Sequence, residues 1–453
     1  MAIVKIYFYA CSIPGFLFSM DFIKNKLYPI FLQHPIVCTD SRNPVAGSIF
    51  FALSGPSFNG NSFAEKALEE GCAYAVIDDP AFRKDERYLV ADDSLVALQQ
   101  LANHHRLQQN AIVLGVTGSN GKTTTKELLH AVLKRKFNTV ATIGNLNNQI
   151  GVPLTLLRIT KETQLAIIEM GASKPGDIKE LMEIAEPDYG LITNIGKAHL
   201  EGMGGYEGVI KTKTELYDWL RTNHKMVFVN TIHNVFIEKA AGLKQLTFGA
   251  TPENDIRGEF LGADPFVHFR WGTKDLTIQS PVIKTQLLGF YNYENLLAAV
   301  AAGHYFGLSE KEINDAVSSY VPVNNRSQII DSENNRIILD AYNANPTSME
   351  AAITNFSEMK AGKKVVVLGK MMELGPTSAA EHKRIADLAL CAGFEKVFLV
   401  GSLYEDSGVT DATRIFKDVN EAITFFKDHP VKDATVMIKG SRANQLELLR
   451  DAF

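Results

Sequence analysis

Val113-Leu-Gly-Val-Thr-Gly-Ser-Asn-Gly-Lys-Thr-Thr-Thr125 is an apolar run that breaks into a glycine loop and resumes as the start of a helix. Gly118 and Gly121 let the backbone curl through Ser119 and Asn120 so that successive N–H groups point inward, where the helix N-terminus adds partial positive charge. That is a phosphate cradle. Lys122 is placed to neutralise β- and γ-phosphates and the hydroxyl of Thr123 to ligate magnesium, with Thr124 following in the first helical turn. The spacing is a shortened variant of G-x-x-x-x-G-K-[ST], because Val116 stands where the first glycine would be. Context supports it: residues 111–116 read as a buried strand. From Thr123 to Lys136, Leu128, Leu129, Val132 and Leu133 recur at helical spacing. The bland alternative is a glycine turn beside a chance lysine.

A chain of 453 residues divides into roughly three domains of ~150 residues. Its 46% hydrophobic content can fill such cores. A formal charge of -5 without any long Lys/Arg run excludes the electrostatic footprint of a nucleic-acid binder. Cys11, Cys38, Cys72 and Cys391 lack metal-ligand spacing and are too scattered for a disulfide framework, so a reducing cytoplasm is expected. Ile6 to Phe18 is apolar and aromatic, like a signal peptide, yet it is short for a membrane span and Pro14-Gly15 breaks it. No small-x-small cleavage site follows cleanly, and no stable membrane insertion is expected. Met20 begins an ordinary amphipathic helix through Phe22, Leu27, Tyr28, Phe31 and Leu32. Residues 1–19 are therefore read as a non-native or disordered extension, with translation starting at Met20.

Three segments follow. Residues 20–105 mix helices and short strands around a glycine-rich turn, with Asp40-Ser41-Arg42 readable as a simple turn. Residues 106–320 alternate strands and helices as a parallel α/β domain does. Within it, Leu165-Ala-Ile-Ile168 runs into Glu169, a carboxylate at a strand's carboxyl end, where doubly wound sheets place ligands and where it can hold magnesium. A later loop carries His199 and Glu201, with Lys213 beyond it; a lone histidine there, without context, is more often structural. Residues 255–280 alternate as antiparallel strands. Residues 321–453 repeat the parallel pattern, and the loops Asp340-Ala-Tyr-Asn-Ala-Asn-Pro346 and Lys439-Gly-Ser-Arg442 follow two of its strands. No G-x-G-x-x-G fingerprint follows the first strand, so a dinucleotide site is unsupported.

The segments 117–124, Asn147-Asn-Gln-Ile-Gly-Val-Pro-Leu154, Glu169-Met-Gly-Ala-Ser173, Ala198-His-Leu-Glu-Gly202 and Asp340-Ala-Tyr-Asn-Ala-Asn-Pro-Thr-Ser-Met349 together resemble the Mur ligase superfamily, from Met20 to Phe453. The last segment points to the branch that joins D-alanyl-D-alanine to UDP-N-acetylmuramoyl-tripeptide in peptidoglycan synthesis. The resemblance implies an α/β fold of three domains: a small N-terminal α/β domain for the UDP-substrate, a central parallel-sheet P-loop ATPase domain and a C-terminal Rossmann-like ligase domain. It implies ATP and two magnesium ions, one on Thr123 and Glu169, the other on His199 and a carbamylated Lys213. Catalytic roles fall on Lys122, Glu169, His199 and Lys213. Asn292 and Asn295 become adenine candidates, Asp340 a ribose candidate, and Arg326 a candidate for phosphate or acyl phosphate. Ser41, Arg42 and Asn147 are placed on the uridine substrate, and Asn343, Asn345, Lys439 and Arg442 where the dipeptide docks. A cytoplasmic monomer is expected.

Three positions depart from the family's pattern. Phe58-Asn-Gly-Asn61 stands for Phe-Asp-Gly-His, Tyr291 for a histidine, and Gly369-Lys-Met371 for Gly-Asp-Met. Rival readings are a ligase acting on folate or an earlier muramyl peptide, a nucleotide switch, and an inactive scaffold. The sequence leaves open whether the tripeptide ends in meso-diaminopimelate or lysine.

Overall fold

The computed structural model describes residues 20–322 and 325–453, so the expectation for residues 1–19 lies outside the described residues. Two compact units result. The first comprises the chain up to Ala111 with Leu146–Gln164 and Glu183–Glu186, and the second holds the remainder.

In the first unit β1 (Val37–Cys38), β2 (Ile49–Phe51), β3 (Tyr74–Ile77) and β4 (Tyr88–Val90) form a parallel sheet in that order. Ile-Phe-Phe in β2 is buried at every position, the pattern of a strand covered on both faces rather than one. The opening helix differs from its sequence reading. A π-helical turn at Ile23–Leu27 rotates the stripe, so that Ile23, Leu27 and Phe31 are buried while Leu32 is 59% exposed.

The second unit carries two sheets. Its nine-stranded sheet comprises β5 (Ile112–Thr117), β6 (Thr139–Ala141), β7 (Leu165–Glu169), β8 (Tyr189–Ile192), β9 (Met226–Asn230), β10 (Lys244–Gly249), β11 (Ile256–Ala263), β12 (Phe266–Thr273) and β13 (Ile283–Leu288). The spatial order is β13-β12-β11-β10-β9-β8-β5-β7-β6. Because β5 lies between β7 and β8, the strand order reverses there, and in open α/β sheets ligands bind at the carboxyl end of such a switch point. β11 to β13 pair antiparallel, so the expected excursion extends one strand further, to Leu288. Helix Lys122–Leu133 packs on helix Phe290–Tyr305, whose small residues allow close approach: a Cβ on Gly303 would sit 2.7 Å from Val132 Cγ1. Leu128, Leu129, Val132 and Leu133 all face this core.

The third sheet runs β14 (Gln328–Asp331), β15 (Asn335–Asp340), β19 (Ala434–Lys439), β16 (Lys363–Gly369), β17 (Lys396–Val400), β18 (Arg414–Phe416). All neighbours are parallel except the edge strand β14. Sequence reading misses β14 and β18, since neither short edge strand carries a fully buried run to announce it. Among the described residues, no helix is long and apolar enough to cross a membrane.

Candidate active site

β5 ends at Thr117, whose hydroxyl donates to the Met170 carbonyl at 2.8 Å. The chain then turns through Gly118 at φ 144° and Gly121 at φ 75°, conformations that side-chain-bearing residues rarely adopt. The segment after β8 holds the loop in shape. Ser119 N donates to Asn194 O at 2.9 Å, Asn120 N to Asn194 Oδ1 at 3.0 Å, and Thr193 Oγ1 to Asn120 O at 2.6 Å. Lys122 folds back, donating to the carbonyls of Gly118 (2.8 Å) and Ser119 (3.1 Å). Burial lowers its pKa, and the Arg326 charge adds to this against the pull of Glu169. An anionic ligand in the loop would reverse that balance.

Thr123 Oγ1 donates to Glu169 Oε1 at 3.1 Å. Glu169 is 1% exposed, and its backbone N–H donates to Thr142 Oγ1 at 2.9 Å. Two hard oxygen ligands thus meet in a buried corner beside the phosphate loop, a donor set that fits magnesium. His199 adopts a left-handed conformation (φ 53°) at the start of helix Leu200–Met203, and its Nδ1 lies against Glu373 Oε2. Lys213, in helix Tyr206–Thr222, is 1% exposed and its Nζ has no hydrogen-bond partner. Burial, reinforced by the Lys122 charge and opposed by Asp177 and Glu215, pushes its pKa down to about 7. Glu215 does not pair with it; its two oxygens instead accept from Gly176 N (2.8 Å) and Lys179 N (2.9 Å). An amine whose neutral form is accessible near neutral pH, and which has no partner, fits conversion to a metal-binding carbamate.

Asp340 and Lys439 sit in register at the carboxyl ends of β15 and β19, 2.5 Å apart, with Lys439 3% exposed. The ribose candidate and a dipeptide candidate are therefore one ion pair. Asp340→Ala is expected to lower stability by about 3 kcal/mol, because it strands a buried ammonium. Adding Lys439→Met should restore most of that loss without restoring ATP affinity. Thermal unfolding and ATP titration of the single and double variants check this, and a double variant as unstable as the single would refute it.

Asn345 caps helix Pro346–Glu358 and donates through Nδ2 to Asn120 Oδ1 at 2.7 Å, tying the Asp340 loop to the phosphate loop. Asn343 is exposed and accepts from Ala344 N; Arg442 is exposed in the turn Arg442–Asn444. Arg326 stacks 3.9 Å above the Tyr342 ring. The amides of Asn292 and Asn295 are engaged inside the protein. Asn295 Oδ1 accepts from Thr125 Oγ1 at 2.9 Å and its Nδ2 donates to Asn292 Oδ1 at 3.0 Å, while Asn292 Nδ2 donates to Leu288 O at 2.8 Å. In this structure the pair braces the helix behind the phosphate loop. Thr142, Asn194 and Glu373 are additions that sequence reading missed, and no local pattern marks them.

In the first unit, Arg42 pairs with Asp40 at 2.9 Å and holds that carboxyl well below its usual range; Ser41 lies between them. Asn147 lies in the segment Leu146–Gln164 of the same unit and is partly buried.

Residues 116–303 match the Mur ligase middle domain, and residues 325–442 match the family described as Mur ligase, glutamate ligase domain. The UDP-N-acetylmuramoyl-tripeptide–D-alanyl-D-alanine ligase of Bacillus subtilis is 34% identical over 91% of this chain and 91% of its own length. The chain belongs to the Mur ligase family. The Escherichia coli enzyme of the same name is 32% identical over 94% of this chain and 95% of its own. Among solved structures, MurF from Acinetobacter baumannii superposes with TM-score 0.80 at 32% identity, covering 92% of each chain. MurF from Thermotoga maritima in complex with ADP gives 0.82 at 25% identity, covering 93% of this chain and 97% of that one. The three-domain Mur ligase fold is thus the fold of this chain.

The positions at which this Mur ligase departs from the family's pattern have definite partners. Tyr291 meets Ser327 Oγ at 3.0 Å, and burial beside Asp340 raises its pKa. Asn61 donates to Asp78 Oδ1 at 2.7 Å and accepts from Asp78 N at 3.0 Å, pinning the turn to the end of β3. The Lys370 stem packs at Gly401, where an added Cβ would lie 3.2 Å from Lys370 Cδ.

Proposed function

We propose that this Mur ligase uses ATP to join D-alanyl-D-alanine to UDP-N-acetylmuramoyl-tripeptide, in peptidoglycan precursor synthesis. The observation that carries this reading is near-full-length similarity to relatives named for that ligation. A terminal carboxylate of the tripeptide attacks the γ-phosphorus; a new O–P bond forms, the bond to the β-phosphate oxygen breaks, and ADP leaves. The dipeptide amine then adds to the acyl carbon, loses its proton, and expels phosphate from the tetrahedral intermediate.

Phosphoryl transfer asks the protein mainly for position and charge neutralisation. The N–H groups of residues 118–121 cradle the phosphates, and Lys122 leaves the Gly118 and Ser119 carbonyls to meet their charge. Arg326, held flat on Tyr342, adds a second cation near Lys122. Magnesium, when bound, supplies Lewis-acid neutralisation at phosphate and carboxylate oxygens. Thr123 and Glu169 would hold one ion, and His199 with carbamylated Lys213 the other. For that modification, neutral Lys213 Nζ attacks carbon dioxide, an N–C bond forms, one proton is lost, and the anionic carbamate presents oxygen ligands. Its supporting observation is the unpartnered, buried Nζ.

The reading is tested by phosphate release measured with each substrate omitted in turn, with mass detection of the product. Release is expected only when ATP, UDP-tripeptide and D-alanyl-D-alanine are all present. Hydrolysis of ATP without either acceptor would instead indicate a nucleotide switch. Running the meso-diaminopimelate and lysine tripeptides side by side assigns the third residue.

A further inference from the structure

His199 has two ring nitrogens, and one of them lies against a carboxylate, in close contact without hydrogen-bond geometry. Nδ1 faces Glu373 Oε2, a carboxylate from the loop after β16, whereas His199 lies on the loop after β8. Both residues take left-handed backbone conformations, φ 53° and φ 62°, which a non-glycine residue holds only where its surroundings demand it. The loop after β8 meets the third sheet's domain at further points, on helix Pro346–Glu358, helix Ser378–Cys391 and the turn Gly375–Thr377. Lys197 N donates to Thr347 Oγ1 at 3.0 Å, and Lys197 Nζ meets Glu381 Oε1 at 3.0 Å. A Cβ on Gly375 would lie 3.2 Å from Glu201 Cβ.

We propose that Glu373 is a positioning residue for the metal site: by taking the Nδ1 proton of His199, it fixes the ring's tautomer and orientation and leaves the Nε2 lone pair to the cation. A histidine ligand is commonly held in this way through its other nitrogen, and loss of the holding group weakens metal affinity about 10–100-fold. The consequence is a coupling. His199 becomes a competent ligand only when the loop after β16 is docked on the loop after β8, so the third sheet's domain completes a site whose other ligands belong to the central sheet. The inference rests on reading His199 as a ligand.

The test uses the full-length protein and the variants Glu373→Ala, Glu373→Gln and His199→Asn. In the metal-free protein, nitrogen NMR of labelled histidine, with the His199 signal assigned by His199→Asn, is expected to show Nδ1–H in the parent. In Glu373→Ala the Nε2–H tautomer should gain population. Manganese titration in the presence of ADP, followed by electron paramagnetic resonance, should show one ion weakened about 10–100-fold in Glu373→Ala and the other unchanged. Glu373→Gln keeps the side chain's length and guards against a loss caused by misfolding; its amide oxygen can still accept, so an intermediate loss is expected. A tether with no effect on the ring would lower the melting temperature yet leave tautomer and manganese affinity unmoved, and that result overturns the inference. If His199→Asn binds manganese as the parent does, the ligand reading fails and the inference falls with it. Loss of one ion in His199→Asn with parental binding in Glu373→Ala defeats the inference alone.

Discussion

Lys213→Met is expected to abolish ligation, by about a thousandfold or more, while raising thermal stability, and raising it more at pH 6 than at pH 9. Its Nζ is buried without a partner and its pKa is pushed down to about 7, first by burial and then by the Lys122 charge. In the unfolded chain the same amine titrates near 10.4. Below about pH 7 both states are protonated, and the folded protein bears the full cost of a buried ammonium. As pH rises from about 7 towards 10.4 the folded state has already released the proton that the unfolded state still binds, so stability climbs by about 1.4 kcal/mol per pH unit. Methionine has similar length and no charge, and so removes the cost where it is largest. Thermal unfolding in carbon-dioxide-free buffer at the two pH values, beside a turnover assay, checks both halves. A variant that is less stable at pH 6, or one that still ligates, would remove Lys213 from the role assigned to it. Selection for a destabilising group is the expected signature of a functional one.

Gly118→Ala is expected to weaken ATP binding, for a different reason. At φ 144° an added Cβ would lie 2.0 Å from Thr193 Oγ1 and 3.1 Å from Thr193 N. Thr193 Oγ1 is the group that holds the Asn120 carbonyl at 2.6 Å, so relief of the clash must pull the phosphate loop away from its support. A loss of about 3 kcal/mol in stability is expected, from backbone strain and the displaced contact together. ATP affinity should fall at least about tenfold, equivalent to 1.4 kcal/mol. Gly144→Ala is the control: its φ is 55°, and nothing lies within 4 Å of the added Cβ. It should cost about 1 kcal/mol, from strain alone. Equal effects of the two substitutions on ATP titration would show that close approach at Gly118 is not what shapes the loop.

The sequence by itself determined the strand, loop and helix around Lys122, because those features are local. A run of apolar residues from Ile112 to Val116, glycines at the turn and a helical stripe through Leu133 each follow from the period of neighbouring side chains. It also placed Glu169 at a strand end, for the same reason. Tertiary structure alone decided who meets whom. That Asp340 and Lys439, 99 residues apart, form one pair depends on β15 and β19 lying side by side in register. No sequence period encodes that adjacency. That Asn292 and Asn295 turn inward to Thr125, that Asn345 reaches Asn120, and that Glu373 faces His199 likewise depends on how separate elements pack. The depressed pKa of Lys213 is of the same kind: the solvent excluded around its amine is a property of the folded core.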